Sequence, residues 1–188
     1  MPYTPPPELA SLSLSEIAEL VEAQKLPPVE QWQPEETGDS EMRINADGSW
    51  LHQGDPINRP AMVRAFSTLL RREEDGSFAL VTPYQKLSII VEDAPFVAVQ
   101  MENEGQGEDR KMAFRLNTDH LVVADIDHPL RFPASEKAPQ PYLKVRGGLE
   151  AVLARPVYYE LAEYALSDDL EPFGLWSNGA FFAIDRPA

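Results

Sequence analysis

The ten residues DHLVVADIDH, Asp119 to His128, hold two histidines and three aspartates, the side chains that most often ligate divalent metals. On an extended chain, however, Asp125 and Asp127 face opposite to His128, and no ligand spacing such as His-Glu-x-x-His occurs. The stretch therefore reads as a short strand, LVVA, flanked by polar loops, with no metal and no cofactor expected. His52, alone in its segment, is a titratable group without a partner in the pattern.

Positive charge offers the more specific chemistry. In YLKVRGG, alternation sends Leu143 and Val145 to one face and Tyr142, Lys144 and Arg146 to the other. In KMAFRLN, Met112, Phe114 and Leu116 point inward while Lys111 and Arg115 point outward. The same alternation describes an ordinary solvated strand face. On an acidic chain, though, two cationic faces, one ending in a Gly-Gly that lets a ligand approach the backbone, suit an anion. Lys144 and Arg146 are the chief candidate ligand-binding residues, with Arg115 and Lys86 weaker. Arg59, like Arg155, is placed to reach an interface cleft or to pair with acids across it.

Other chemistries lack their residues. EGQGEDR misses the third glycine and the lysine of the nucleotide fingerprints, and its acids would repel phosphate. No Gly-x-Ser-x-Gly elbow supports a serine nucleophile. The absence of cysteine removes disulfides, thiolate zinc sites and cysteine nucleophiles together. A net charge of -15 opposes binding to long nucleic acids and anionic membranes, while a few basic groups at one cleft still set a local field. The start, MPYTPPPELASLSLSEIAEL, has no basic region followed by an apolar core, and no run reaches the roughly 18 apolar residues of a membrane span. A cytoplasmic protein is expected.

The elements that must position these groups follow from local signals. Residues 1–12 are proline-rich and read as extended, and Ser13 with Glu16 forms a capping box opening a helix over 14–24. Residues 26–41 read as an extended acidic strap docked by Val29 and Trp32. Asp47-Gly48 turns a hairpin within Met42 to Gly54. Pro60 opens a helix with an apolar stripe of Met62, Val63, Phe66, Leu69 and Leu70, stopped by EEDGS. Two strands broken at Thr82-Pro83 follow, the second with Leu87, Ile89 and Val91 on one face. A meander comes next (FVAVQM, KMAFRLN, HLVVAD), then strands round Gly147-Gly148, a second Arg-Pro helix, and a hairpin turned by Ser177-Asn178-Gly179.

The two Arg-Pro helices suggest a duplication. Arg59 and Arg155 are separated by an offset of 96, and that offset carries the first stripe onto Tyr158, Tyr159, Ala162, Ala165 and Leu166, all apolar or aromatic. FALV is echoed by FGLW at an offset of 95, and MRINAD by FRLNTD at 72, which requires a 24-residue insertion in the second copy. The expected fold class is α+β, with mostly antiparallel sheets in two related halves, residues 1–95 and 96–188, each with one principal helix. A shared interface between the halves is the natural place for a cleft.

The segments INADGSWLHQGDPINRP, FALVTPYQKLSIIVEDAPF and YLKVRGGLEAVLARPVYYELAEYAL resemble a bacterial family known only as a domain of unknown function, seen mainly in proteobacteria. The resemblance spans roughly Leu26 to Ile184, and TP…K…I.VEDAPF is its most specific part. It implies a duplicated α+β core whose C-terminal half is pleckstrin-homology-like. It further implies a site at the interface of the halves for a nucleotide-like ligand, and a role in signal transduction. It brings no catalytic residues. The family pattern carries Glu where this chain has Gln85.

Together these readings describe a non-catalytic protein that binds a small anionic, nucleotide-derived ligand between its halves and acts in signalling. The main alternative is a protein-protein interaction module with no small ligand, its strap or C-terminal sheet docking a protein partner. An enzyme of unknown reaction is the third reading.

Overall fold

The computed structural model describes residues 26–134 and 140–184 together with Ser13, Glu16, Glu19, Ala23 and Gln24. Strands form where apolar and polar residues alternate, and they end at residues that tolerate positive φ. Strand β1 (Glu36–Ile44) folds back into β2 (Trp50–His52) through a turn in which the Gly48 N–H donates to the Asn45 carbonyl at 2.9 Å. Gly48 sits at φ 85°, and a Cβ there would lie 2.7 Å from Asn117 Nδ2 and 2.8 Å from Val97 Cγ2, so the turn needs glycine for conformation and for space. After β3 (Asp55–Pro56) comes helix α1 (Pro60–Ser67), then β4 (Leu70–Arg72), β5 (Phe78–Val81) and β6 (Gln85–Val91). The second half runs through β7 (Phe96–Glu104), β8 (Lys111–Leu116), β9 (Leu121–Val123), β10 (Leu130–Arg131), β11 (Tyr142–Arg146) and β12 (Leu149–Leu153). Helix α2 (Arg155–Asp168) and a hairpin, β13 (Gly174–Ser177) and β14 (Ala180–Ala183), complete it.

The molecule is an α+β protein of two related halves, mostly antiparallel. The first sheet has the order β3-β2-β1-β6-β5-β4 and the second β10-β11-β12-β7-β8-β9. Read from the other edge, the second is β9-β8-β7-β12-β11-β10, the same plan with each strand number raised by six. Each half is thus two three-stranded antiparallel meanders joined along a parallel seam, β1 with β6 and β7 with β12.

The duplication therefore lies in the sheets, and the sequence echoes are displaced from it. MRINAD falls in β1 and its turn, whereas FRLNTD falls in β8, whose structural counterpart is β2. FALV is β5, in a six-stranded sheet, but FGLW belongs to the separate β13–β14 hairpin. The helices are not equivalent either, since α1 connects β3 to β4 while α2 follows β12. In α1, Val63 and Phe66 pack on the core and Met62 is exposed; in α2 the buried residues are Val157, Leu161 and Ala165, while Tyr159 and Leu166 are exposed. The offset of 96 thus sets inward Val63 against outward Tyr159.

Helix α1 also ends earlier than its stripe implies. The Ser67 and Thr68 hydroxyls donate back to the carbonyls of Arg64 and Ala65, both at 2.7 Å, and Leu70 already pairs with Leu80 as a strand residue. EEDGS is the β4–β5 turn, closed by Glu73 N–H to the Ser77 carbonyl at 2.8 Å.

One continuous core joins Ile44, Trp50, Leu70 and Ile89 of the first half to Phe96, Phe114, Leu143, Leu153 and Leu161 of the second. A satellite cluster of Val29, Ala79 and Val81, with Trp32 partly buried, docks the strap as its residue types imply, while Glu30, Glu35, Glu36, Asp39 and Glu41 stay exposed. The strap is not uniformly extended: Val29–Gln31 form a 3-10 turn and β1 starts at Glu36. Near the start of the chain Ser13 and Glu16 make the expected capping box, with the Ser13 N–H 2.7 Å from Glu16 Oε2. The proline-rich opening, residues 1–12, and Leu14, Ile17, Leu20 and Val21 lie outside the described residues. None of the described helices is long and apolar enough to cross a membrane.

Candidate anion-binding site

Arg146 ends β11, where the register with β12 shifts between Lys144 and Arg146. Alternation would set it on the solvent face beside Lys144, yet only Lys144 is exposed. Arg146 instead turns in against the first half. Its Nη2 donates to the Ser67 carbonyl at the end of α1 at 2.6 Å, and its guanidinium carbon lies 5.4 Å from the Phe96 ring centroid. Among the described residues it makes no ion pair. Burial pulls its pKa down to about 10, partly offset by the charge of Glu30.

Arg146 and Val145 form one wall of a cavity of about 230 Å³, with Gln24 and Leu26, His120 to Val123, Asp125 and His128 as the rest. The second sheet curls far enough for β9 and β11 to line the same space, although three strands lie between them in the sheet order. His120 is buried, with Nδ1 2.8 Å from Thr118 Oγ1 and its ring edge-on to Phe96. Past β9 the chain leaves the extended form: the N–H groups of Asp127 and His128 both donate to Asp125 Oδ1, at 2.9 and 2.8 Å. That turn also brings His128 Nδ1 within 2.9 Å of Asp125 Oδ1, so the two residues that strict alternation sets on opposite faces are bonded. Among the described residues no group of three or more His, Asp and Glu side chains could hold a metal ion.

Burial, and then the charges of Arg146 and Arg64, push the His120 pKa down to about 4. A neutral histidine is therefore built into the fold. Above about pH 6.5 neither folded nor unfolded chain carries a proton there; between about 6.5 and 4 only the unfolded chain binds one, so stability falls as pH falls through that window. We expect His120→Gln to remove on the order of 2–3 kcal/mol from the stability loss between pH 7 and pH 4. Urea unfolding at a series of pH values checks this, and identical pH profiles for the two proteins would contradict it.

A larger cleft, about 670 Å³, opens beside β4, β5 and β6 of the first half. Lys86 and Arg71 meet there, but Glu73 answers both, at 3.0 and 2.7 Å. Arg71, buried, also donates to the carbonyls of Val29 and Trp32 at 2.9 and 2.8 Å, which fastens the strap. The hydrogen bond from Arg71, helped by Lys86 and opposed by burial, holds Glu73 below the usual carboxylate range. With Glu30, Glu74 and Asp75 also in the lining, the carboxylates outnumber Arg71, Arg72 and Lys86, and the cleft has no net positive field.

The remaining sequence candidates are dispersed. Arg115 on β8 lies 3.6 Å from Asp119, and exposed Arg59 precedes α1. The structure thus brings Arg146 together with His120 and His128, and leaves Lys144, Arg115, Lys86 and Arg59 elsewhere. The two histidines were visible in DHLVVADIDH, eight residues apart and so on one face of a strict alternation; what that reading missed is the turn past Val123, which bonds Asp125 to His128.

Residues 27–94 match the family model described as "Domain of unknown function (DUF1285), N-terminal domain", and residues 95–184 match "Protein of unknown function (DUF1285), C-terminal domain". Among solved structures, the chain is similar to a DUF1285 family protein from Silicibacter pomeroyi DSS-3, with 43% identity, coverage of 89% of this chain and 93% of that one, and a TM-score of 0.78. It is also similar to a DUF1285 family protein from Shewanella baltica OS155, with 27% identity, coverage of 68% and 94%, and a TM-score of 0.53. No curated protein matches it.

Proposed function

Because the chain belongs to the DUF1285 family, whose description fixes no activity, we propose from the site itself that it is a non-catalytic protein binding a small anionic ligand at the junction of its halves. The observation that carries this reading is Arg146, a partly buried guanidinium with no ion-pair partner among the described residues, turned into a cavity. A desolvated cation of this kind gains most from a bound anion, and a guanidinium grips a carboxylate or phosphate through two parallel hydrogen bonds. The cavity is below the roughly 300–1,000 Å³ usual for drug-sized ligands, which favours an anionic head group over a whole nucleotide.

What else Arg146 holds supports a signalling role. Its bond to the Ser67 carbonyl ties β11 to the end of α1, so an anion competing for the guanidinium would act on the contact between the halves. The exposed Tyr159 and Leu166 on α2 support the second reading, an interaction module with a protein partner. Calorimetric titration with inorganic phosphate, AMP and succinate tests the first reading. We expect Arg146-dependent binding of at least one, lost by more than tenfold in Arg146→Ala and mostly lost in Arg146→Lys. Equal binding by wild type and Arg146→Ala would move the site elsewhere, and no binding by either would favour the interaction module.

A further inference from the structure

The molecule that carries the anionic group is indicated by the free edge of β9, on the premise that Arg146 receives an anion. Among the described strands, β9 pairs only with β8. The Leu116 N–H donates to the His120 carbonyl at 2.8 Å and the Ala124 N–H to the Met112 carbonyl at 2.9 Å. In an antiparallel ladder alternate residues bond to the neighbour, so Leu121 and Val123 turn their backbone groups the other way, along the cavity. At Leu121 both groups are taken by one side chain: Gln24 Nε2 donates to its carbonyl at 3.0 Å and Gln24 Oε1 accepts from its N–H at 2.8 Å. A primary amide in this two-bond arrangement takes the place of the peptide group of an adjacent strand.

We infer that the edge of β9 receives an extended peptide whose backbone replaces the Gln24 amide at Leu121 and continues to Val123, and whose C-terminal carboxylate docks on Arg146. The walls favour this class. Leu26, Leu121, Val122 and Val145 offer apolar contact to small side chains, and Arg146 is the cation among the described residues of the lining. A chain of net charge -15 repels peptides rich in acids, which leaves a single terminal carboxylate as the favoured anion. The cavity holds only about 230 Å³, room for the end of a chain rather than for its passage. Affinity would come mainly from backbone hydrogen bonds, with loose demands on sequence.

The test is titration of the full chain with acetylated Val-Thr-Val-Val bearing a free carboxylate, and with its C-terminal amide. We expect the acid to bind and the amide to bind at least tenfold more weakly. Arg146→Ala should lose the acid peptide, and Gln24→Ala should bind it about tenfold more tightly because the competing amide is gone. Hydrogen exchange at the Leu121 and Val123 amides should slow on binding. Equal affinity for acid and amide overturns the carboxylate contact. Failure of the acid peptide to bind either wild type or Gln24→Ala, with phosphate, AMP or succinate still binding through Arg146, overturns the peptide inference and leaves the anion site standing. If every probe binds Arg146→Ala as it binds wild type, both are overturned.

Discussion

Arg110→Ala is expected to destabilise the protein by about 3–5 kcal/mol, the cost of leaving a buried charge without its partner. Arg110 is 2% exposed, and its Nη1 and Nη2 lie 2.9 and 3.0 Å from the two carboxylate oxygens of Asp168. Its guanidinium carbon sits 4.9 Å from the Tyr164 ring centroid, and its carbonyl accepts the Asn178 N–H at 2.8 Å. One side chain therefore ties the β7–β8 connection to the last turn of α2, while its backbone holds the β13–β14 turn. Truncation strands Asp168 in a site where its side chain is 9% exposed. Replacing both partners, as in Arg110→Met with Asp168→Leu, removes the stranded charge and should recover part of the loss. Chemical denaturation of the single and double variants checks both statements; a loss below about 1 kcal/mol in Arg110→Ala would show that the pair contributes little.

Leu161→Ala is expected to cost about 3–5 kcal/mol, and Leu166→Ala to stay within about 0.5 kcal/mol of wild type. The two leucines belong to the same helix, but Leu161 is fully buried and Leu166 is 66% exposed. Truncating Leu161 removes contacts between α2 and the core and leaves a cavity whose walls, set by the strands beneath, relax only partly. Denaturation midpoints for the pair decide which face of α2 is inward. A larger loss at Leu166 than at Leu161 would restore the face drawn by the offset of 96, which includes Leu166 and not Leu161.

That helix shows where sequence reading stops. Val157, Tyr158, Tyr159, Leu161, Ala162, Tyr164, Ala165 and Leu166 place apolar or aromatic residues around most of its circumference, so periodicity alone does not select a face. Local chemistry was legible. Asp47-Gly48 and Asn178-Gly179 set turns because they supply the positive φ that a tight hairpin needs, and Leu87, Ile89 and Val91 fall on the inner face of β6. The parallel seams were not legible, since no short-range pattern says that the first strand of a half lies beside its last. Arg110 was hidden for a related reason: in GEDR it has the context of a solvated turn, and only the return of Asp168 from 58 residues away makes it an interior group. Arg146 was found by its type and Gly-Gly neighbourhood, but its inward turn depends on the β-bulge and on a carbonyl from the other half.

The seams also govern how the chain can acquire its structure. Glu36 pairs with Gln85, and Phe96 with Ala151, so the strands that open and close each half meet only after everything between them has been made. Such contacts of high sequence separation slow folding, because the loop must close before the contact contributes. On the ribosome, the first sheet has all its strands once β6 has emerged, whereas β7 emerges well before β12. In that interval Phe96, Val97 and Ala98, all buried in the finished protein, stand on an unpaired edge. A nascent chain arrested after β7 has emerged and before β12 has would present a first half whose share of the common core is still uncovered, beside a template for intermolecular strand pairing.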